Sequence, residues 1–130
     1  MAELTVVNLS KGTCLGTRIR LADGFWARLR GLLGVESLPK GEGLLLRPCQ
    51  MVHGIGMRFS IEAVYLDSSG RVIGIHLLEP GRLGPYKHQA AAVLELPPGT
   101  VSDSATEIGD LLQSTRTQRF SCEYDVVTNR

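Results

Sequence analysis

Within nine residues, Cys49, Met51, His53 and Met57 place a thiol, two thioethers and an imidazole at alternate positions. These are the donor types that copper(I) prefers. An extended segment would put all four side chains on one face, but buried Cys and Met are ordinary packing residues, and packing is the favoured reading. The same segment offers nucleophilic chemistry, with Cys49 as thiol, His53 as base and Glu62 or Asp67 as orienter. No Gly-rich helix start follows Cys49 to lower its pKa, so a structural thiol is again preferred. Glu62 and Glu95 stand inside apolar, strand-like runs. Two carboxyls with different surroundings could divide acid and base roles. A buried carboxylate, however, needs a cation or several donors, and Arg28, Arg58 and Arg82 lie in neighbouring segments, which favours structural ion pairs.

Other chemistries lack their signatures. There is no GxxxxGK[ST], and no GxGxxG lies between a strand and a helix. Cys14, Cys49 and Cys122 are widely spaced, without a CxxC pair, so neither a zinc ribbon nor a disulfide framework is expected, and no metal or other cofactor is assigned. Fourteen Lys+Arg against thirteen Asp+Glu leave a net charge of +1. No strong field draws the chain to nucleic acid, and Arg18, Arg20, Arg28 and Arg30 lack interleaved stacking residues, so nucleic acid is a disfavoured partner. The charges are unevenly divided: residues 1–58 hold eight Lys/Arg and four Asp/Glu, residues 59–130 six and nine. In one domain this predicts that the halves pair in space. An early acid, no apolar leader and no run of about 18 apolar residues point to a cytoplasmic protein without a membrane segment.

These residues must be positioned by a small frame. A chain of 130 residues with 43% hydrophobic content supports a single domain over 1–130. Strands are predicted at 4–9, 17–21, 43–47, 61–67, 71–78, 91–96, 111–114 and 119–127 from β-branched content, period-two alternation and bounding turn residues. Ser68, Ser69 and Gly70 form a hairpin loop with Gly70 in the left-handed region. Residues 79–88, carrying Pro80, Gly81, Gly84 and Pro85, read as a loop. Asp23 caps a main helix over about 23–33, where Phe25, Trp26, Leu29, Leu32 and Leu33 share one face. Trp26 and Leu29 are expected in the core, and Gly34 ends the helix. A short second helix is expected within about 101–108, with Ser102 as its cap. The fold class is therefore α+β, with a mainly antiparallel, curled or barrel-like sheet.

Five ordered blocks resemble the domain-of-unknown-function family DUF192. They are Trp26-Ala27-Arg28-Leu29-Arg30-Gly31-Leu32-Leu33-Gly34; Pro48-Cys49-Gln50-Met51-Val52-His53 with Met57-Arg58-Phe59; Ile61-Glu62-Ala63-Val64-Tyr65-Leu66-Asp67; Val93-Leu94-Glu95-Leu96-Pro97-Pro98-Gly99; and Gly109-Asp110. The resemblance implies one β-rich domain with a barrel-like sheet and a main helix, and brings no established activity. The chain is similar to the subgroup with a Cys-x-x-Val-His block. It departs from it at Gly54, where Thr is usual, and at Glu62, where Asp is commoner.

The expected function is a non-enzymatic module that binds a small ligand or protein partner in a cleft near residues 49–62. Its candidate pocket comprises Cys49, His53, Met57, Arg58, Glu62, Arg28 and Glu95. His53 and Glu62 are expected to share one concave patch, with Glu62 as a structural anchor. The alternatives are a small enzyme using His53 and Glu62 as acid and base, or a copper-binding protein.

Overall fold

A computed structural model describes residues 3–24, 31–32 and 34–117. The strands are β1 (Glu3–Asn8), β2 (Thr13–Ala22), β3 (Glu42–Leu46), β4 (Ile61–Leu66), β5 (Val72–Leu78), β6 (Ala92–Leu96) and β7 (Leu112–Arg116). They form one sheet in the order β5-β4-β6-β3-β2-β1-β7. Every neighbouring pair is antiparallel except β2 and β3. The β4–β5 hairpin turns at Gly70, whose φ is +91°, with a register shift between Tyr65 and Leu66, as the bulged turn expected there requires.

The sheet curls until its edge strands meet. Arg71 and Leu111 form an isolated bridge; the Val72 N–H donates to the Asp110 carbonyl, and the Leu112 N–H to the Gly70 carbonyl. The sheet is thus barrel-like without a closing ladder. Curling buries its inner face around Val6, Leu15, Ile19, Val64, Leu94 and Leu96. The opposite face is also apolar: Leu44, Leu46, Ile61, Ala63, Tyr65 and Val93 form a second cluster, joined by Leu32 and Val52 and flanked by Val35, Leu38 and Phe59. Strands buried on both faces explain why β3, β4 and β6 read as nearly continuous apolar runs.

One end of the bore is covered by a short helix, α1 (Thr100–Ser104), whose Val101 packs against the inner cluster. Ser102 is not its cap. The helix begins after Gly99, and the carboxylate of Glu62 accepts from the backbone N–H groups of Gly99 (3.1 Å) and Val101 (2.9 Å). The expected main helix at 23–33, with Phe25, Trp26, Arg28, Leu29 and Leu33, falls largely outside the described residues, as does the strand expected at 119–127. Gly34 has φ +81°, in keeping with the turn predicted there. No helix among the described residues is long and apolar enough to cross a membrane.

Polar groups join the two charge-asymmetric halves. Asn8, fully buried, donates to Thr106 Oγ1 (3.0 Å) and Asp110 Oδ2 (2.9 Å). Lys11 Nζ reaches both Asp110 oxygens at 2.8–2.9 Å, and Lys40 pairs with Asp103. Hydrogen bonds from Asn8, then Lys11 and the Glu107 N–H, hold the Asp110 carboxyl down at about 2, below its ordinary 3.8. Because the folded value lies below the unfolded one, this stabilisation is complete above pH 3.8 and disappears as pH falls through about 2. Asp110→Asn is therefore expected to lower the melting temperature at neutral pH, with the gap from the parent chain narrowing over that acid interval in thermal denaturation followed by circular dichroism. A gap that stays constant would show that the carboxylate's charge is not what holds the network.

Candidate functional site

Residues 49–57 leave β3 through Pro48 and run antiparallel to part of the 79–88 loop. His53 and Leu83 form a bridge. The Gly54 N–H donates to the Arg82 carbonyl and the Gly81 N–H to that of Gly54, each at 2.7 Å; Gly84 donates to Val52 and Lys87 to Gln50. The two segments thus form a flap over the outer face of the sheet. Val52 is buried beneath it, and the Tyr65 hydroxyl rises from β4 to donate to the Pro85 carbonyl at 2.7 Å. Two glycines permit this closeness. A Cβ on Gly54 would lie 2.3 Å from the Glu79 carbonyl oxygen, and one on Gly84 would lie 2.9 Å from the Tyr65 hydroxyl. The close approach to Glu79 gives a physical reason for Gly at 54, since a threonine could not enter without displacing the loop.

The alternation in this segment runs differently from the expectation of one shared donor face. Val52 and Gly54 point inward, while Met51, His53 and Ile55 point to solvent. Cys49 and Met57 are half-buried against the outer cluster, and the Cys49 thiol donates to the Met51 carbonyl (3.1 Å). The four soft donors are therefore divided between the interior and the surface. Arg58 is exposed and pairs with Glu36 at 3.3 Å, a contact of little energetic weight in water. Arg28 lies outside the described residues.

The two candidate carboxyls occupy opposite faces of the sheet. Glu62 alternates with Ala63 and Tyr65 of the outer cluster, and its oxygens bind the α1 end beside the inner cluster. His53 sits on the outward side of the flap. The expected shared patch of His53 and Glu62 is thus not formed: adjacency in sequence does not place a residue of β4 on the face that the flap covers. The Glu62 carboxylate is held by two backbone donors, and among the described residues no arginine pairs with it.

Glu95 lies on β6 between Leu44 of β3 and Ala63 of β4 and is only 4% exposed. Among the described residues no cation or hydrogen-bond donor reaches its carboxyl; Arg28, one of the partners expected from the sequence, lies outside those residues. Burial pushes it up to about 8, so it is mostly protonated at neutral pH. Burial, with Cys49 and Glu95 nearby, likewise lifts the Tyr65 phenol to about 12. The His76 ring meets Tyr65 edge-on at 5.6 Å, and burial followed by the Lys87 charge lowers its pKa. Sequence reasoning missed the Tyr65–Pro85 clamp and the outward-facing Ile55, Leu83 and Tyr86. The alternation of Met51, His53 and Ile55 was the available signal, but Leu83 and Tyr86 lie in a loop without periodicity.

The arrangement of sheet and flap can be set beside known proteins. The DUF192 family model, described as an uncharacterized ACR, matches residues 6–114. The chain belongs to the DUF192 family. A UPF0127 protein of Pyrococcus furiosus is 29% identical over 116 residues, covering 85% of this chain and 98% of the relative. One from Thermococcus kodakarensis is 31% identical over 117 residues, covering 87% and 74%. A crystal structure of a protein of unknown function from Novosphingobium aromaticivorans superposes with a TM-score of 0.70 at 19% identity, covering 85% of this chain and 82% of the other. Another, from Sinorhizobium meliloti, gives 0.66 at 21%, covering 85% and 91%. At these identities the two structures establish a common fold. In this DUF192 chain four of the five blocks fall on the flap, on β4 with Glu62, on β6 with Glu95, and at the Asp110 network, while the Trp26–Gly34 block lies largely outside the described residues.

Both carboxyls yield stability tests. In Glu62→Gln one of the two N–H groups meets an NH2 instead of an oxygen, and the expected loss is about 1–3 kcal/mol in denaturant titration. For Glu95 the folded value lies above the unfolded one. Between pH 4.5 and about 8 the folded chain keeps a proton that the unfolded chain has released, and stability falls as pH rises. Glu95→Gln removes that titration, so its stability relative to the parent should grow across this interval and level off above it. A difference independent of pH would place the Glu95 carboxyl in a wetter setting than the one described.

Proposed function

We propose that this DUF192 domain is a non-enzymatic binding module that recognises a protein partner through the outward side of the flap. One observation carries the reading: Met51, Ile55, Leu83 and Tyr86 are 41%, 56%, 63% and 61% exposed around His53 on a segment whose backbone is already fixed by hydrogen bonds. Exposed apolar side chains grouped on a rigid element, next to an imidazole and the exposed Arg82, are the makings of a recognition surface with an aromatic anchor. The enzyme alternative loses its geometry, since Glu62 is committed to the α1 backbone on the other face of the sheet. A copper site on Cys49, Met51, His53 and Met57 would need the half-buried pair and the exposed pair to converge.

The test is site-specific photo-crosslinking in living cells, with the reactive side chain at position 86. Discrete adducts are expected, and Leu83→Asp should abolish them while leaving the melting temperature within a degree or two, because the side chain is 63% exposed. Absence of any adduct, or a continuous smear unaffected by Leu83→Asp, would overturn the proposal.

A further inference from the structure

The flap has an electrostatic character that its apolar side chains do not reveal. Its paired part, residues 49–55 with 81–88, contains Arg82, Lys87, His53 and His88 and no Asp or Glu, in a chain whose net charge is only +1. Arg82, His53 and His88 are exposed. Lys87 is half-buried, its ammonium 5.7 Å from the centre of the Tyr65 ring, so it adds to the positive field rather than to the contact surface. The nearest carboxylates in the chain stand outside the paired part: Glu79 precedes it, and Glu36 is paired with Arg58 at 3.3 Å. The apolar groups lie between the basic ends. Leu83 is bridged to His53, and the Tyr86 hydroxyl donates to Gln50 Oε1 at 3.4 Å, while Gln50 Nε2 donates to the His88 carbonyl at 2.7 Å.

We infer, resting on the flap reading above, that the partner's contact segment is acidic: a short peptide stretch whose apolar side chains seat against Leu83 and Tyr86 while its Asp or Glu side chains meet Arg82 and the imidazoles of His53 and His88. The surface is composed as such a contact requires. Tyr, Met and Arg are the side chains that protein interfaces enrich, and the paired part of the flap supplies Tyr86, Met51 and Arg82 with no carboxylate among them. Complementary charge around an apolar centre steers the encounter and fixes its register, whereas a basic segment would set like charges against Arg82. Arg82 and His88 stand about 20 Å apart along an extended run, a distance that about six extended residues span. A nucleic acid fits less well. The flap offers one exposed aromatic ring, Tyr86, for base stacking, and Met51, Ile55 and Leu83 give a phosphate backbone no partner.

The probe is a phage-displayed library of random peptides of about 16 residues, selected on the full chain, with the most enriched peptide synthesised and titrated by fluorescence anisotropy. Enriched sequences should carry several Asp or Glu beside apolar residues. Exchanging the peptide's acids for Asn and Gln should weaken binding by at least about tenfold, and raising salt from about 50 to 300 mM should weaken the acidic form severalfold and the amide form little. Arg82→Glu should weaken the acidic peptide by about tenfold as well, and Leu83→Asp should abolish its binding. The acid-to-amide exchange alters the peptide alone, so it decides even if a protein variant melts lower. No enrichment, enrichment without acids, or equal binding of the two peptide forms would each overturn the inference. Tighter binding of a single-stranded oligouridylate would overturn it in favour of nucleic acid, and a dimer that Leu83→Asp dissociates in sedimentation would give the surface to a second copy. Acid-independent peptides lost with Leu83→Asp would strike this inference and leave the flap reading standing, whereas that reading fails on the absence of adducts at position 86.

Discussion

A seven-stranded sheet that is apolar on both faces sets the problem that the rest of the molecule solves. Such a sheet cannot lie flat in water with either face bare, because each buried Leu or Ile side chain accounts for about 1.5–3 kcal/mol of transfer free energy. Curling covers the inner face with itself, yet the outer face around Tyr65 and Val93 becomes convex and must be covered by other chain. Among the described residues Leu32, Val35, Leu38 and the flap supply that cover. The flap therefore exists first for stability, and its glycines at 54 and 84 follow from how closely it must lie on the sheet.

Curling also leaves ends, and polar side chains fasten them. Glu62 reaches from β4 to two N–H groups at the start of α1, and Asp110 gathers Asn8, Lys11 and the Glu107 N–H. Both carboxylates satisfy backbone donors that would otherwise be stranded near the core, an omission that costs more than the bond itself contributes. Glu95 is the contrasting case. Among the described residues no donor lies beside it, burial makes the protonated state the cheaper one, and the molecule keeps a neutral acid there while Asp110 keeps its charge.

The strands were legible because their signals are local. Runs such as Ile61-Glu62-Ala63-Val64-Tyr65-Leu66, and the Ser68-Ser69-Gly70 turn, carry their own pattern, and the observed ends differ from the expected ones by a residue or two. The exception is β2, which begins at Thr13 rather than Thr17: Cys14-Leu15-Gly16 breaks the alternation, and Gly16 is there because a Cβ would lie 2.7 Å from the Gly41 carbonyl oxygen. Site geometry was less legible, for a related reason. Ser102 is a sensible local cap, but the group that serves α1 lies 37 and 39 residues away from the backbone it binds. Pro80, Gly81, Gly84 and Pro85 correctly marked a loop while hiding that its backbone pairs with residues 50–54. Composition located the chemically suggestive segment, and long-range pairing decided which of its side chains face out.

That division separates structural duty from the capacity to recognise. Cys49, Val52 and Met57 face the core, so their size and polarity are constrained by the packing under the flap. Met51, His53 and Ile55 lie between Cys49 and Met57 and alternate with Val52 and Gly54, on a backbone whose hydrogen bonds are made by Gln50, Val52 and Gly54 with the 79–88 loop. A change at an outward position leaves every one of those bonds in place. The same strand-like segment can therefore hold the fold on one side and vary its contacts on the other, which is the condition under which a surface can be shaped by a partner without a cost to the sheet beneath it.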